Sequence, residues 1–278
     1  MEITYSSTSL SQRVLAIAFP FTLNVLYHTK YKSVAFSIKL HNKKLCVIIN
    51  VSCINILGSI DEKIENNEKI INELDSLLIN NYKKFSENDN YKIVRMDEVF
   101  DITIGRTPPR KEQKWFTANN NGIKWISIAD MGNCSQYIFN TSEELTREAI
   151  KQFNVQIVQP NTLLLSFKLT VGRIAITTEK MATNEAIAHF NTNNKFILPY
   201  LYCYMKNYNF QTLGNTSSIA NATNSKTVKA MKFLLPSDSD LQSFYNQSNL
   251  ILNKIFKCEL INIKLNELKQ LYLKKFFE

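Results

Sequence analysis

The sequence is poor in the residues that most often carry chemistry or interrupt secondary structure. It has only 6 glycines, 6 prolines and 3 histidines among 278 residues. The glycine-rich loops of nucleotide-binding proteins and the Gly-x-Ser-x-Gly elbow of hydrolases are both absent. The histidines are isolated and the 5 cysteines include no Cys-x-x-Cys pair, so spacing predicts neither a metal site nor a disulfide framework. These absences argue against catalysis by this chain and against a bound cofactor.

The sequence also offers little that is suited to a membrane. The nearest candidate, 14–26, is shorter than the roughly 18 apolar residues that a spanning helix needs, and it contains Pro20. Residues 1–12 have neither the basic start nor the small-residue cleavage site of a secretory signal. Scattered cysteines, odd in number, are typical of a reducing compartment. We therefore expect a soluble, cytoplasmic protein with no membrane partner.

Positive charge is concentrated in one part of the chain. The formal net charge is +9, and residues 91–236 carry 17 Lys and Arg against 10 Asp and Glu. Residues 59–88 have 4 basic and 7 acidic side chains, and residues 237–278 have 6 and 5. A basic block between such flanks attracts a polyanion at one place. This favours double-stranded DNA or another nucleic acid as a partner, although many basic proteins bind none.

Residues 57–88 have the pattern of a helix that packs against another helix. Apolar side chains recur at every seventh position and at interleaved positions. They are Leu57, Ile60, Ile64, Ile71, Leu74, Leu78 and Phe85. The pattern predicts a helix with its N-cap at Ser59 and its end near Phe85, about 40 Å long. Asn67 and Asn81 fall on the same seam, where a buried amide fixes the register. The alternative is an amphipathic helix packed on a globule.

A second long helix is expected over 237–278, since this stretch lacks glycine and proline and begins with capping candidates Ser237 and Asp238. We predict an α+β fold, in which one α/β-type globule (91–236) is flanked by two long helices that form an antiparallel coiled coil. Apolar and periodic runs predict elements inside the globule. The predicted strands are 155–158, 162–167 and 173–177, and the predicted helices are 142–153 and 198–207.

Residues 1–56 form a partial N-terminal segment in this reading. Short apolar runs at 14–19, 34–38 and 45–51 are separated by basic polar residues. They predict two or three strands, or a strand and a short helix.

The stretch 105–111 is predicted to be a stiff, cationic loop. Its two prolines restrict the backbone, while Arg106, Arg110 and Lys111 project from it beside Thr107. A stiff loop loses little entropy when its cations meet phosphates or a guanine edge. The alternative is a solvated surface turn.

Three further segments supply candidate DNA contacts. Lys168, Thr170 and Arg173 fall in one turn that follows an apolar strand. Asn184 either hydrogen-bonds a base edge or, as we favour, caps a helix or closes a turn. Lys226 belongs to the polar run 216–229, which is either a DNA-contacting loop or an ordinary surface loop.

Taken in order, these motifs resemble a known family, the specificity (S) subunit of type I restriction-modification systems. The run 57–67 is similar to the central helical region of that family. Five later segments resemble its target-recognition domain, and Leu235, Pro236 and the closing helix complete the pattern. The five segments are 106–108, 125–126 with Asp130, 160–164, 170–173 and 183–187. The resemblance covers about 57–278.

The resemblance implies a non-catalytic subunit that binds DNA sequence-specifically. It implies methyltransferase (M) subunits docked on the helices and a restriction (R) subunit acting through them. The family carries two recognition domains, each reading one half of a split target. This chain has one complete recognition domain, so it resembles a half-length or truncated form that reads one half, with 1–56 as either a remnant or a novel cap. Self-association through the helices would provide a second recognition domain.

Two other functions remain open from the residues alone. The helices also fit a coiled-coil scaffold that binds no DNA. The chain also fits a fragment of a fused restriction-methylation enzyme. Against that alternative, the adenine-methyltransferase tetrad is missing, because Pro108 and Pro109 precede Arg110 and not an aromatic residue.

Overall fold

The computed structural model describes residues 23–28, 33–40, 43–87, 91–117, 121–168, 170–210 and 224–277. Chain contacts divide the protein into two compact units. The first comprises residues up to Ile70 together with those from Leu260 onward, and the second comprises Ile71–Glu259. Within the described ranges, no helix combines the length and apolar character needed to cross a membrane.

The first unit contains a small sheet and the outer parts of two long helices. The elements are β1 (Leu23–His28), β2 (Ser33–Leu40), β3 (Lys43–Asn50), α1 (Val51–Ser86) and α7 (Asp238–Phe277). The three strands are antiparallel, in the order β1-β2-β3. The runs at 34–38 and 45–51 were expected to be strands, or a strand and a short helix. They lie in strands β2 and β3, except for Val51, which begins α1; the run at 14–19 lies outside the described residues.

Within this unit the two long helices run antiparallel. The Asn67 amide donates to Oδ1 of Asn262 over 2.7 Å, and the Lys269 ammonium donates to Oδ1 of Asp61 over 2.6 Å. From Asn67 to Asp61 the residue number decreases along α1, whereas from their partners Asn262 to Lys269 it increases along α7. The two helices therefore run in opposite directions. Asn67 is only 2% exposed, so the predicted seam asparagine is buried and its amide is paired. These contacts confirm the predicted antiparallel arrangement.

The start of α1 differs from the prediction. The helix begins at Val51, and Ser59 lies inside it, where its hydroxyl donates to the Asn55 carbonyl over 2.9 Å. Ser59 is not the N-cap because helical geometry already continues from the end of β3. The helix has 36 residues and is about 54 Å long, longer than predicted. Much of the predicted stripe is buried, namely Leu57, Ile60, Ile71 and Leu78, whereas Asn81 is half-buried.

The predicted N-cap of the closing helix is confirmed. The Ser237 hydroxyl accepts the Asp240 N–H over 3.2 Å, and α7 begins at Asp238. Such a cap satisfies one of the backbone donors that a helix start leaves open.

Within the described residues, the second unit contains three sheets, five further α-helices and a short 3₁₀ helix at Gln113–Trp115. Its helices are α2 (Met96–Val99), α3 (Ile128–Asn133), α4 (Arg147–Gln152), α5 (Leu198–Asn207) and α6 (Ser225–Lys229). Its strands are β4 (Lys92–Arg95), β5 (Asp101–Ile104), β6 (Phe116–Thr117), β7 (Ile123–Ile126), β8 (Tyr137–Ile138), β9 (Glu143–Leu145), β10 (Leu163–Ser166), β11 (Ile174–Thr177), β12 (Ala182–Thr183), β13 (Ile187–Asn191) and β14 (Lys232–Leu235).

The strands pair into sheets of five, four and two strands. The five-stranded sheet has the order β5-β13-β10-β11-β8, the four-stranded sheet has the order β12-β7-β9-β6, and β14 pairs with β4. The first two sheets are joined where β12 leads into β13 through the turn 184–186. The core includes fully buried Leu164, Ile126 and Trp125. The α+β fold class is therefore confirmed.

Most of the predicted elements of the globule are present. The strands at β10 and β11 and the helix at 198–207 are confirmed. The helix predicted over 142–153 is wrong in its first part, because β9 pairs there with β6 and β7 and α4 begins only at Arg147. The predicted strand at 155–158 is reduced to one bridge between Val158 and Met181.

In the second unit an aromatic cluster packs the globule against the helices. Tyr200 of α5 is fully buried at its centre. Rings from α1 and α7 meet there, with the Phe85 and Phe244 centroids 4.9 Å apart. The rings around Tyr200 are Tyr82, Phe85, Tyr91, Tyr204, Phe233 and Phe244. Aromatic side chains contribute large buried areas, so this cluster stabilises the packing of the globule against α1 and α7.

A buried carboxylate ties the five-stranded sheet to α7. Glu259 is 7% exposed and accepts the backbone N–H groups of Gln136 and Tyr137 over 3.0 and 3.1 Å. Burial raises the pKa of Glu259 to about 7, although these two hydrogen bonds oppose the shift. The nearby Asp75 adds a smaller upward contribution to the pKa of this group. Glu259 therefore titrates in the folded protein near neutral pH.

We expect Asn67→Leu to lower the free energy of unfolding by about 1–3 kcal/mol, because Asn262 loses its buried partner. The double variant Asn67→Leu/Asn262→Leu should recover most of this loss, since it replaces a polar pair by an apolar one. Urea denaturation measures both. A double variant no more stable than the single one would contradict a direct coupling of the two amides.

Glu259 should make stability fall as the pH rises from about 4.5 to about 7. The folded state holds the proton more tightly than the unfolded state, so the stabilising contribution of the protonated group is complete at low pH and is lost through this window. The change amounts to about 3 kcal/mol as an upper estimate. Denaturant unfolding of wild type and Glu259→Gln across this range isolates the group, and parallel profiles would contradict the assignment.

Candidate nucleic-acid interface

Three loops meet at one edge of the five-stranded sheet. Strand register places the ends of β5 and β10 beside the starts of β11 and β13, with Ile104 opposite Ala188 and Ser166 opposite Ile187. The loops that leave this edge are 105–111, 167–173 and 184–186. The edge therefore brings together most of the residues predicted to contact DNA, and we call these three loops the contact edge.

Backbone hydrogen bonds from both longer loops converge on the segment 183–187. The Gly105 N–H bonds to the Ile187 carbonyl, the Arg106 N–H to the Thr183 carbonyl and the Phe167 N–H to the Ala186 carbonyl, at 2.9–3.1 Å. Because these bonds use only the main chain, they hold the loops in place whatever side chains the loops display.

Gly105 is required by this close approach. A Cβ atom at this position would overlap the Thr183 hydroxyl and the carbonyl oxygens of Thr183 and Asn184. Glycine is the residue that allows two backbone segments to lie this close. The loop 105–111 therefore leaves the sheet in a defined direction.

Arg106 and Thr107 are held by contacts within the globule. The Arg106 guanidinium donates to the Phe153 carbonyl over 2.7 Å, and its own carbonyl accepts the Trp125 indole N–H over 3.2 Å. The Thr107 hydroxyl donates to the Glu185 carboxylate. Arg106 is exposed and Thr107 is half-buried, so both side chains lie at the surface while they anchor the loop.

Arg110 lies over two aromatic rings. Its guanidinium carbon is 4.4 Å from the ring centroids of both Phe116 and Trp125, and Nη1 binds both Glu143 oxygens at 2.7 and 2.9 Å. Cation–π contact and the carboxylate fix its orientation. The side chain is still 47% exposed, so the guanidinium is held in a set position at the surface.

The loop 167–173 is closed by Ser166 and Gly172. The Ser166 hydroxyl accepts the Arg173 N–H over 2.9 Å and donates to the Thr170 carbonyl. Gly172 has a φ of +94°, a conformation that L side chains rarely adopt. The Arg173 guanidinium turns to α3, where it donates to the Ile128 carbonyl over 2.6 Å. Arg173 therefore links the turn to α3.

Asn184 closes the turn between the two sheets, as we favoured. Its Oδ1 accepts the Ala186 N–H over 3.0 Å, and its own N–H donates to the Ile126 carbonyl over 3.0 Å. Beneath it, Thr183 and His189 are fully buried. Burial lowers the pKa of His189 to about 4, so the imidazole is neutral at physiological pH.

The remaining predicted residues are exposed cations and a hydroxyl. Lys111, Lys168 and Thr170 lie at the contact edge with exposed side chains, and the Lys168 ammonium is 5.5 Å from the Phe167 ring. Lys226 is also exposed, and it lies on the short helix α6, which packs against α2.

Several residues of this region were not singled out from the sequence. Glu143 and Glu185 bind Arg110 and Thr107 across 33 and 78 positions, and no local pattern signals such pairs. Trp125 belonged to a recognised segment, but its indole role was not foreseen. Thr103 and His189 hydrogen-bond each other, and nothing in the sequence marks either residue except its position in a strand.

Comparison with known proteins identifies the family. The family model for the type I restriction modification DNA specificity domain matches residues 88–270. The chain belongs to this family. The match covers the globule, the contact edge and most of α7, so the resemblance found in the sequence is confirmed.

Individual relatives are distant. The chain is 23% identical over 130 residues to the type I restriction enzyme MjaIX specificity subunit of Methanocaldococcus jannaschii, covering 44% of this chain and 29% of that protein. It is 21% identical over 187 residues to the HindI specificity subunit of Haemophilus influenzae, covering 66% and 40%. The chain thus matches well under half the length of these curated relatives.

The fold is shared with a solved specificity subunit. The type I restriction-modification S subunit from M. genitalium superimposes with a TM-score of 0.56 at 14% identity. The superposition covers 91% of this chain and 68% of that one. At this identity the likeness concerns the fold, and it supports the arrangement of mixed sheets and long helices described above.

Proposed function

We propose that this specificity-family chain binds double-stranded DNA sequence-specifically, reads one half of a bipartite target and has no catalytic activity or cofactor of its own. The observation that carries the proposal is the contact edge, where backbone hydrogen bonds hold three loops together and two of them, 105–111 and 167–173, carry Arg and Lys side chains. Fixed cations of this kind bind phosphates with little loss of entropy.

The predicted residues fall into different roles in this proposal. Lys111 and Lys168 are exposed ammonium groups that contact phosphates, and Lys226 is a separate phosphate contact from α6. Arg110 retains further N–H donors beyond Nη1, and its fixed guanidinium suits the paired acceptors of a guanine edge.

The other predicted residues act mainly by shaping the loops. Arg106, Thr107, Arg173 and Asn184 each bind other parts of the globule, so they set the positions from which neighbouring groups reach the duplex. Thr170 has an exposed side chain and is placed to contact the backbone or a base edge.

The long helices are proposed as the docking surface for methyltransferase (M) subunits, with a restriction (R) subunit acting through them. Apolar side chains are exposed on these helices, including Leu77 at 47% and Leu250 at 72%. Exposed apolar side chains that form a contiguous patch are typical of protein-binding surfaces. A homodimer through the helices is the proposed source of a second recognition domain.

Removing the two contact-edge lysines should weaken DNA binding without changing its base preference. For Lys111→Ala/Lys168→Ala we expect the slope of log K against log salt to fall by about 1 for each lysine lost. Gel shift of the chain with its methyltransferase partner, over a series of salt concentrations, measures this slope. The matched control Lys180→Ala/Lys195→Ala removes the same charge from exposed positions of the globule that follow the far ends of β11 and β13, away from the contact edge.

The slope of that control should remain close to the wild-type slope. Equal slopes for wild type and Lys111→Ala/Lys168→Ala would contradict the proposed interface, and equal losses in both double variants would indicate only a net-charge effect.

Methylome mapping in cells with and without the gene should show a gapped, palindromic motif that depends on this chain. A palindrome follows because a homodimer presents the same recognition domain to both half-sites. A non-palindromic motif would reject the homodimer and indicate a second specificity chain. An unchanged methylome would contradict the role in DNA recognition itself.

A further inference from the structure

A chain of hydrogen-bonded polar side chains, fully buried at His189 and Thr183 and half-buried at Thr103 and Asn191, lies under the contact edge. Asn191 Nδ2 is 2.9 Å from Thr103 Oγ1, which is 2.9 Å from His189 Nδ1. His189 Nε2 is 2.6 Å from Thr183 Oγ1, and that oxygen is 3.2 Å from the Asn184 carbonyl. The chain crosses from β13 and β5 to β12, and it therefore links the two main sheets of the globule.

The bond to Asn184 sets the direction of the chain. The Asn184 carbonyl can only accept, and Thr183 has one hydroxyl proton, so Thr183 donates to Asn184 and accepts from His189. This assigns the proton of a neutral His189 to Nε2. His189 Nδ1 is then an acceptor, so Thr103 donates to it while accepting from Asn191 Nδ2. With the proton on Nδ1 instead, Thr183 would have to donate to His189 and the bond to Asn184 would be lost.

This chain ends at the turn that holds the contact edge. Thr183 accepts the Arg106 N–H with its backbone carbonyl, while its hydroxyl donates to the Asn184 carbonyl. The next residue, Glu185, binds the Thr107 hydroxyl. A change in the position of Thr183 therefore moves both the start of the loop 105–111 and the turn beside it.

The polar chain is an unusual choice for a sheet interior. His189 and Thr183 are fully buried, and their neighbours in the strands are mainly Leu, Ile and Ala. Apolar residues of similar volume would fill this space without desolvating polar groups. A fully satisfied polar network, in contrast, defines a single arrangement of the groups that it joins.

Resting on the proposed function, we propose that His189 is a positioning residue for target discrimination. Through the directed chain from Asn191 and Thr103 to Thr183 and Asn184, it sets the geometry of the contact edge. His189 does not touch the duplex. It selects the loop arrangement in which the exposed side chains meet base edges.

The tautomer gives a direct test that needs no DNA. Nitrogen NMR of the histidine-labelled full chain should show His189 neutral, with its proton on Nε2 and Nδ1 accepting a hydrogen bond, at pH 7. The variants Thr183→Val and Thr103→Val should each shift the nitrogen resonance that loses its partner. A proton on Nδ1, or a charged ring at pH 7, would overturn the proposal.

Discrimination is tested with the chain in complex with its methyltransferase partner and a pool of randomised DNA duplexes. Wild type and Thr183→Ser, which keeps the hydroxyl, should enrich the same half-site. Thr183→Val should lose at least tenfold in preference at one or more positions of that half-site. His189→Phe should behave similarly if it folds, and Thr183→Val carries the test if it does not.

Thr177→Val is the matched control. Thr177 is also a fully buried threonine, and its hydroxyl accepts the Thr162 N–H over 3.0 Å and donates to the Gln159 carbonyl over 2.7 Å, away from the 183–187 segment. It should lose comparable stability but keep its preference within about twofold. If Thr183→Val and Thr177→Val lose the same amount of base preference, the effect of Thr183 is one of stability and not of positioning. Wild-type preference in Thr183→Val would reject the positioning role, whereas a wild-type chain that enriches no motif would reject the proposed function as well.

Discussion

The contact edge depends on the main-chain hydrogen bonds that converge on residues 183–187. These bonds join loops that follow two different strands to the turn between the two sheets. Since the main chain supplies them, the frame does not depend on the exposed side chains. Such a frame allows the exposed side chains of the loops to differ without moving the loops themselves.

The helix pair shows a second use of buried polar groups. Asn67 and Asn262 place a hydrogen bond in a seam that is otherwise lined by apolar residues such as Leu57, Ile60 and Ile71. A paired amide is less stabilising than a packed leucine, but it penalises every register in which the two amides fail to meet. The pair therefore specifies one register of the two helices, at some cost in stability.

The predicted cations show how far charge alone can predict an interface. The three arginines, Arg106, Arg110 and Arg173, bind partners within the globule, whereas Lys168 is exposed. A guanidinium has several N–H donors, so it can brace a loop and still face solvent, as Arg110 does beside Glu143. The basic composition of the globule therefore overstates how many cations are available to a ligand. The exposed lysines are the main cations that remain available.

The sequence by itself determined the two helices, the α+β class and the order of the recognition motifs, because heptad spacing, caps and turn residues act over short distances. It also predicted the seam position of Asn67, the cap at Ser237 and the helix at 198–207. It misplaced the start of α1 and the element at 142–153, where strand pairing with distant residues prevails over local periodicity. Only the tertiary structure decided which cations are bound internally and that His189 lies beneath the contact edge. Those contacts join residues tens of positions apart, and no local pattern records them.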